Sequence, residues 1–157
     1  MNKTSDILEG LDFIKSRLET ISTANGYNHS PNIKRGWLEF IFSNKNRHRE
    51  PIAFPVIAYR PKTSAPQNAT AGNESLIDVV TVHIDGAVSV KDSEDSVTDL
   101  LNLLKDVRRS LVFDPENQRL KISDLTIQDC PFDTPESGDD YAFFSQAISF
   151  RVTEQYA

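Results

Sequence analysis

From Asp6 onward the apolar residues Ile7, Leu11, Ile14, Leu18 and Ile21 recur at helical spacing, Leu8 widens the stripe, and Lys, Glu and Arg take the other face. The pattern predicts an amphipathic helix over about 6 to 23. Ser5 or Asp6 suits its cap, Lys15 and Glu19 stand one turn apart, and Gly26 after Asn25 suits the left-handed residue that ends a helix. A second stripe, Val97, Leu100, Leu101, Leu104, Val107 and Leu111, follows the acids of Asp92 to Asp95 and carries Arg108 and Arg109 in its last turn. It predicts a second helix.

The remaining apolar residues follow a period of two or form short runs. Residues 37 to 42 and 54 to 60 are rich in β-branched and aromatic types and predict two early strands separated by a basic stretch, 44 to 50. Pro55 lacks an amide donor, which places a strand start or an edge there and makes the first half of that strand irregular. From Ser75 to Val90 the residues Val80, Val82, Ile84, Val88 and Val90 alternate with Thr81, His83, Asp85 and Ser89, the signature of one long half-buried strand with a bend expected at Gly86. Leu120 to Gln128 predicts a further strand with an irregularity at Asp124. Phe144, Ile148, Phe150 and Val152 alternate with Ser145, Ser149 and Arg151 in a last one.

Pro61 to Glu74 contains two prolines, one glycine and no large apolar residue, so it is expected to be a long exposed and flexible loop, 61–74. A second loop, 131–141, is acidic. Strands grouped between two amphipathic helices predict α+β architecture in two layers: a mainly antiparallel or mixed sheet with both helices on one face. Residues 1–157 show no internal repeat and no compositional break, which predicts a single domain.

Composition narrows the function classes. Hydrophobic residues make up 38% and charged residues 25%, as in a chain that folds around a core. A net charge of -6 argues against general attraction to a nucleic-acid backbone. Cys130 is the only cysteine, which excludes an intrachain disulfide and a cysteine-based zinc site and fits a reducing compartment. No window approaches the ~20 apolar residues of a membrane span, and Met1 to Asp12 carries charges where a signal peptide is apolar, so assembly in the cytoplasm and no membrane partner are expected.

A catalytic constellation is not apparent. His29, His48 and His83 stand alone, without metal-ligand spacing, and no nucleophile elbow, P-loop or dinucleotide fingerprint occurs, so no catalytic residue, cofactor or metal is assigned. Cys130 lacks a base in the sequence around it and is expected to be a quiet thiol. The remaining polar signal is electrostatic. Arg47 and Arg49, with Arg60 and Lys62 close by if the early strands pair as a hairpin, form a basic patch; Asp133, Glu136, Asp139 and Asp140 form an acidic one without a Lys or Arg. A solvated turn and a solvated loop are the plain readings of these two. Subunit or partner contacts are the sharper alternative.

Several segments in order then carry a resemblance: the first helix followed by Asn25-Gly26-Tyr27, Ile33-Lys34-Arg35-Gly36, the proline-flanked strand Pro51 to Pro61 with Phe54-Pro55-Val56-Ile57, the long alternating strand, the helix Leu100 to Leu111, and the ending Phe150-Arg151-Val152-Thr153-Glu154-Gln155-Tyr156. In this order and spacing the chain resembles the tail terminator, or tail completion, proteins of long-tailed bacteriophages. The resemblance implies a non-enzymatic virion protein at the head-proximal end of the tail, forming a ring with copies of itself, expected to be a hexamer. Such a ring sits on the tail tube protein, with the sheath as a further contact, halts polymerisation and offers a surface to a neck or connector protein for head joining; DNA is only cargo passing through the lumen. Another neck or connector subunit, or a small enzyme with a non-local active site, are the alternative readings.

Overall fold

The computed structural model describes residues 5–39, 41, 53–68, 74–113, 122–133 and 140–156. Helix α1, Asp6–Leu18, starts under the Ser5 cap, whose hydroxyl accepts from the Ile7 amide, and ends at Glu19 rather than continuing to residue 23. The chain then makes a short 3-10 turn, Thr23–Asn25, and the left-handed residue Gly26, φ 83°, closes that turn instead of the helix. Ser22 explains the early stop: its side chain accepts from the Asn25 amide and so favours a local cap over another helical turn.

Strand β1, Asn32–Arg35, pairs in parallel with β2, Val56–Asn68, from Asn32 opposite Val56 to Arg35 opposite Tyr59. β2 pairs antiparallel with β3, Ser75–Ser89, and β3 with β6, Tyr141–Gln155. The short strands β4, Ser123–Ile127, and β5, Phe132–Asp133, both lie along the far side of β6. The sheet order is β1-β2-β3-β6-β4 with β5 beside β4 on β6, an open mixed sheet of six strands. Helix α2, Ser96–Val112, is capped by Asp95 and packs with α1 on one face, which makes the fold α+β in two layers.

Three early expectations are corrected. Leu38, Glu39 and Ile41 are helical, with the Ile41 amide on the Trp37 carbonyl, so the described residues of the strand expected at 37–42 are not strand; Leu38 and Ile41 instead lie on the sheet face away from α1 and α2. Among the described residues no early hairpin is seen, because the strand beside β2 is β1 and it runs parallel; the basic stretch 44 to 50 lies outside the described residues. Residues 61 to 68 are not loop but the outer half of β2, in register with β3 as far as Asn68 opposite Leu76. Their lack of apolar residues is explained by position: β1 ends opposite Tyr59, so from Arg60 on β2 is an edge, where prolines are tolerated, and 61–67 are exposed. A one-residue register shift between Pro61 and Thr63 accommodates the change.

The main core lies between the helices and the sheet. It contains Leu11, Phe13, Ile14 and Leu18 of α1, Leu100, Leu103, Leu104, Val107 and Leu111 of α2, and apolar residues at even-numbered positions of β3 and β6, among them Val80, Val82, Ile84, Phe144, Ile148 and Phe150. Two glycines make room for its rings. A Cβ on Gly10 would stand 2.4 Å from the Phe150 ring and one on Gly86 2.3 Å from the Phe144 ring. The β3 register with β6 runs unbroken through Gly86, so this glycine admits a ring instead of bending the strand. At Asp124 the irregularity does occur: its φ is 55°, and the β4–β6 register shifts between Ser123 and Thr126.

Candidate functional site

Strand register builds the opposite face of the sheet row by row. The first row is Val56, Ala87 and Phe143; the second is Ala58, Asp85 and Ser145; the third is Arg60, His83 and Ala147. The first row, with Leu38, Ile41, Phe54 and Tyr141, forms a small second core. The next two bring polar groups onto a half-covered surface. Where the cover of 37–41 ends, a cleft of about 180 Å3 opens, lined by Trp37, Leu38, Glu39, Arg60, Asp85, Tyr141, Phe143 and Ser145.

The floor of this cleft is charged. Asp85 is 5% exposed and faces Arg60, Nε to Oδ2 3.6 Å. His83 Nδ1 lies 3.1 Å from the Ser145 hydroxyl, a cross-strand contact on the polar side of β3 as its alternation implied. Burial, then the positive charge of Arg60, lowers the His83 pKa from its ordinary value, so the ring is neutral near pH 7. Ser145, His83 and Asp85 do not form a hydrolytic triad. Nucleophilic activation needs the base oriented by a third group hydrogen-bonded to its other nitrogen, and Asp85 makes no such bond to His83.

A second cavity, about 350 Å3, lies at the head of α2 and is lined by His29, Phe54, Pro55, Val88, Ser89, Asp92, Ser93 and Asp99. Its polar residues are largely occupied with their own neighbours. The Ser89 hydroxyl donates to Asp92, the Ser93 hydroxyl to Asp99, and His29 meets Asp106 at 3.3 Å. Asp106, almost fully buried, also accepts from the amides of Asn28 and His29 and from the Asn28 side chain, which pins the 28–29 segment to α2. Arg17, also buried, donates from Nε to the Ser110 carbonyl at 2.9 Å and from its fork to the Phe113 carbonyl, satisfying orphan acceptors at the end of α2.

Among the described residues no group of three or more His, Cys, Asp and Glu is placed to hold a metal ion. Cys130 is half-buried, and burial pushes its thiol above the ordinary value, away from a reactive thiolate.

Of the residues singled out for contacts, Arg60 is in the cleft and Lys62 is exposed just beyond it on β2. Asp133 belongs to β5 rather than to a loop, opposite Phe143, and Tyr141 already opens β6, so the acidic segment 131–141 is bounded by paired strand at both ends. Asp140 is exposed and 3.8 Å from Lys91. Arg47, Arg49, Glu136 and Asp139 lie outside the described residues. Paired residues share a sheet face, so Arg60 and Asp133 belong to the same open face, separated by β3 and β6. Three inter-strand steps, with the offset along β6 from Ala147 to Phe143, separate them by roughly 20 Å. The basic and acidic groups are therefore held at opposite margins. Sequence reading missed Asp85 and Ser145; their signal was parity, since both share the polar register of His83 across the strands. A comparison with family models finds no match for this chain, and a comparison with curated proteins finds none either.

Proposed function

We propose that the chain is the ring-forming subunit that caps a bacteriophage tail tube, ends tail polymerisation and presents a surface for head joining. The observation that supports this most is the separation of exposed charge across the sheet: Lys62 on β2 at one margin and Asp133 on β5 at the other, whereas Arg60 already faces Asp85 within the chain. A closed ring uses heterologous contacts, in which one patch of a subunit meets a different patch of the next. Opposite charges on the two margins, with β3 and β6 between them, do not meet within one chain and are available between copies. The resemblance in segment order to tail terminator proteins points the same way. In this reading an acidic surface around the lumen keeps passing DNA from adhering.

The test is genetic and direct. Phage lacking the protein is expected to yield overlong or headless tails; normal-length tails joined to heads would discard the proposal. Charge reversal at Arg47 and Arg49, or at Asp139 and Asp140, should block ring formation, with recovery when both reversals are combined. Unchanged assembly in each single reversal would remove those residues from the interface.

A further inference from the structure

The two clefts differ in how well their polar groups are satisfied. In the larger one the Ser89 and Ser93 hydroxyls donate to the carboxylates of Asp92 and Asp99, and the Asp92 amide donates to the Ser89 hydroxyl. In the smaller one Arg60 and Asp85 approach only to 3.6 Å, beyond hydrogen-bond length, and no described residue hydrogen-bonds to either side chain. A carboxylate as buried as Asp85 is stabilised by hydrogen bonds, and the guanidinium of Arg60 carries five donors in a rigid fork. Flat apolar surface stands beside this pair in Trp37, Tyr141 and Phe143.

The charges of the pair restrict what fits. An anion reaching Arg60 meets Asp85, and a cation reaching Asp85 meets Arg60, in a space too small to separate them. The complement is neutral and planar, with an acceptor and a donor side by side. A carboxamide has this form: its oxygen accepts from Arg60 while its NH2 donates to Asp85, and its faces lie against the rings. The volume, about 180 Å3, falls below the 300–1,000 Å3 of sites for drug-sized ligands and cofactors, which favours a single side chain. We infer that this cleft docks the carboxamide of an Asn or Gln side chain presented by a protein partner. The inference does not depend on the ring reading.

Trp37 is the only tryptophan in the chain and stands at the cleft, 58% exposed, so its emission reports occupancy. The probe is N-acetyl-glutamine N-methylamide, compared with the glutamate, lysine and norleucine counterparts and with uridine, whose ring offers the same donor and acceptor from a nucleobase. The glutamine probe is expected to shift both Trp37 emission and the Arg60 Nε–Hε resonance, saturating in the millimolar range. Arg60→Met and Asp85→Ala should each weaken the response by about tenfold or more. The Arg60 resonance in the unmodified protein keeps the test valid if a variant fails to fold. An equal response to norleucine, a larger one to glutamate, lysine or uridine, or an unmoved Arg60 resonance at tens of millimolar would each overturn the inference.

Discussion

The two faces of the sheet solve different problems. On the helix side, Phe144, Phe150, Ile148, Val80, Val82 and Ile84 are sealed beneath α1 and α2, and even Gln146 is fully satisfied, donating to the carbonyls of Gln128 and Ala147 while accepting from Arg108. On the other side the buried cluster among the described residues is Leu38, Val56, Ala58 and Ala87, and it gives way to Asp85, Arg60, His83 and Ser145. Burial area dominates stability, so the first face holds the fold. The second carries a cluster of polar groups because the first supplies most of the burial, although Asp78, of the same parity as Val80 on the first face, also keeps one buried oxygen without a hydrogen bond among the described residues.

The largest effects of substitution are expected on the helix side. Phe150→Ala should destabilise by about 3–5 kcal/mol in urea unfolding, since a ring seated against Gly10 leaves a cavity the surrounding core fills only in part. A loss under about 1 kcal/mol would mean that the helix face is not the main source of stability. Next, Asp106→Ala removes the acceptor for three donors of the Asn28–His29 segment and should cost about 2–3 kcal/mol, with faster amide exchange at Asn28 and His29. Arg17→Met keeps the aliphatic stem but leaves carbonyls of α2 unpaired; about 1.5–3 kcal/mol is expected.

On the open face effects should be small and condition-dependent. Ser145→Ala is expected to change stability by less than about 1 kcal/mol. His83 sharpens the contrast through pH. Its folded pKa is lowered, so the folded state binds fewer protons; its contribution is whole above the ordinary value of 6.5 and is lost as pH falls below it. His83→Gln should flatten the stability profile on the acidic side of that value. An unchanged acid limb in the variant would show that the ring is not perturbed by its surroundings.

Much of the helix face was legible because burial imposes periodicity. The stripe of α1 and the alternation of β3 and β6 follow directly from it, and the bulge at Asp124 follows from a polar residue interrupting an apolar run. The rotation of α2 was less accessible. Val97 and Leu101 belong to the apolar pattern yet are 67% and 51% exposed, while Leu103 is buried, because the neighbouring sheet, not the stripe alone, decides which side turns inward. The short segment around Leu38 and Ile41 has strand-like composition but is helical, since it covers a sheet instead of joining one. The open-face cleft had a signal only in parity, and parity becomes a site once register places Arg60, Asp85 and Ser145 on adjacent strands.

The outer half of β2 has a further consequence for how copies of this chain can coexist. Its free margin carries Pro61, Lys62 and Pro66, two positions without an amide hydrogen and one with a charge that resists stacking. A strand approaching there finds an incomplete ladder, so this exposed edge of β2 is a poor template for sheet-to-sheet growth. The chain can be concentrated, even crowded side by side, with its encounters steered toward faces and loops and away from fibre.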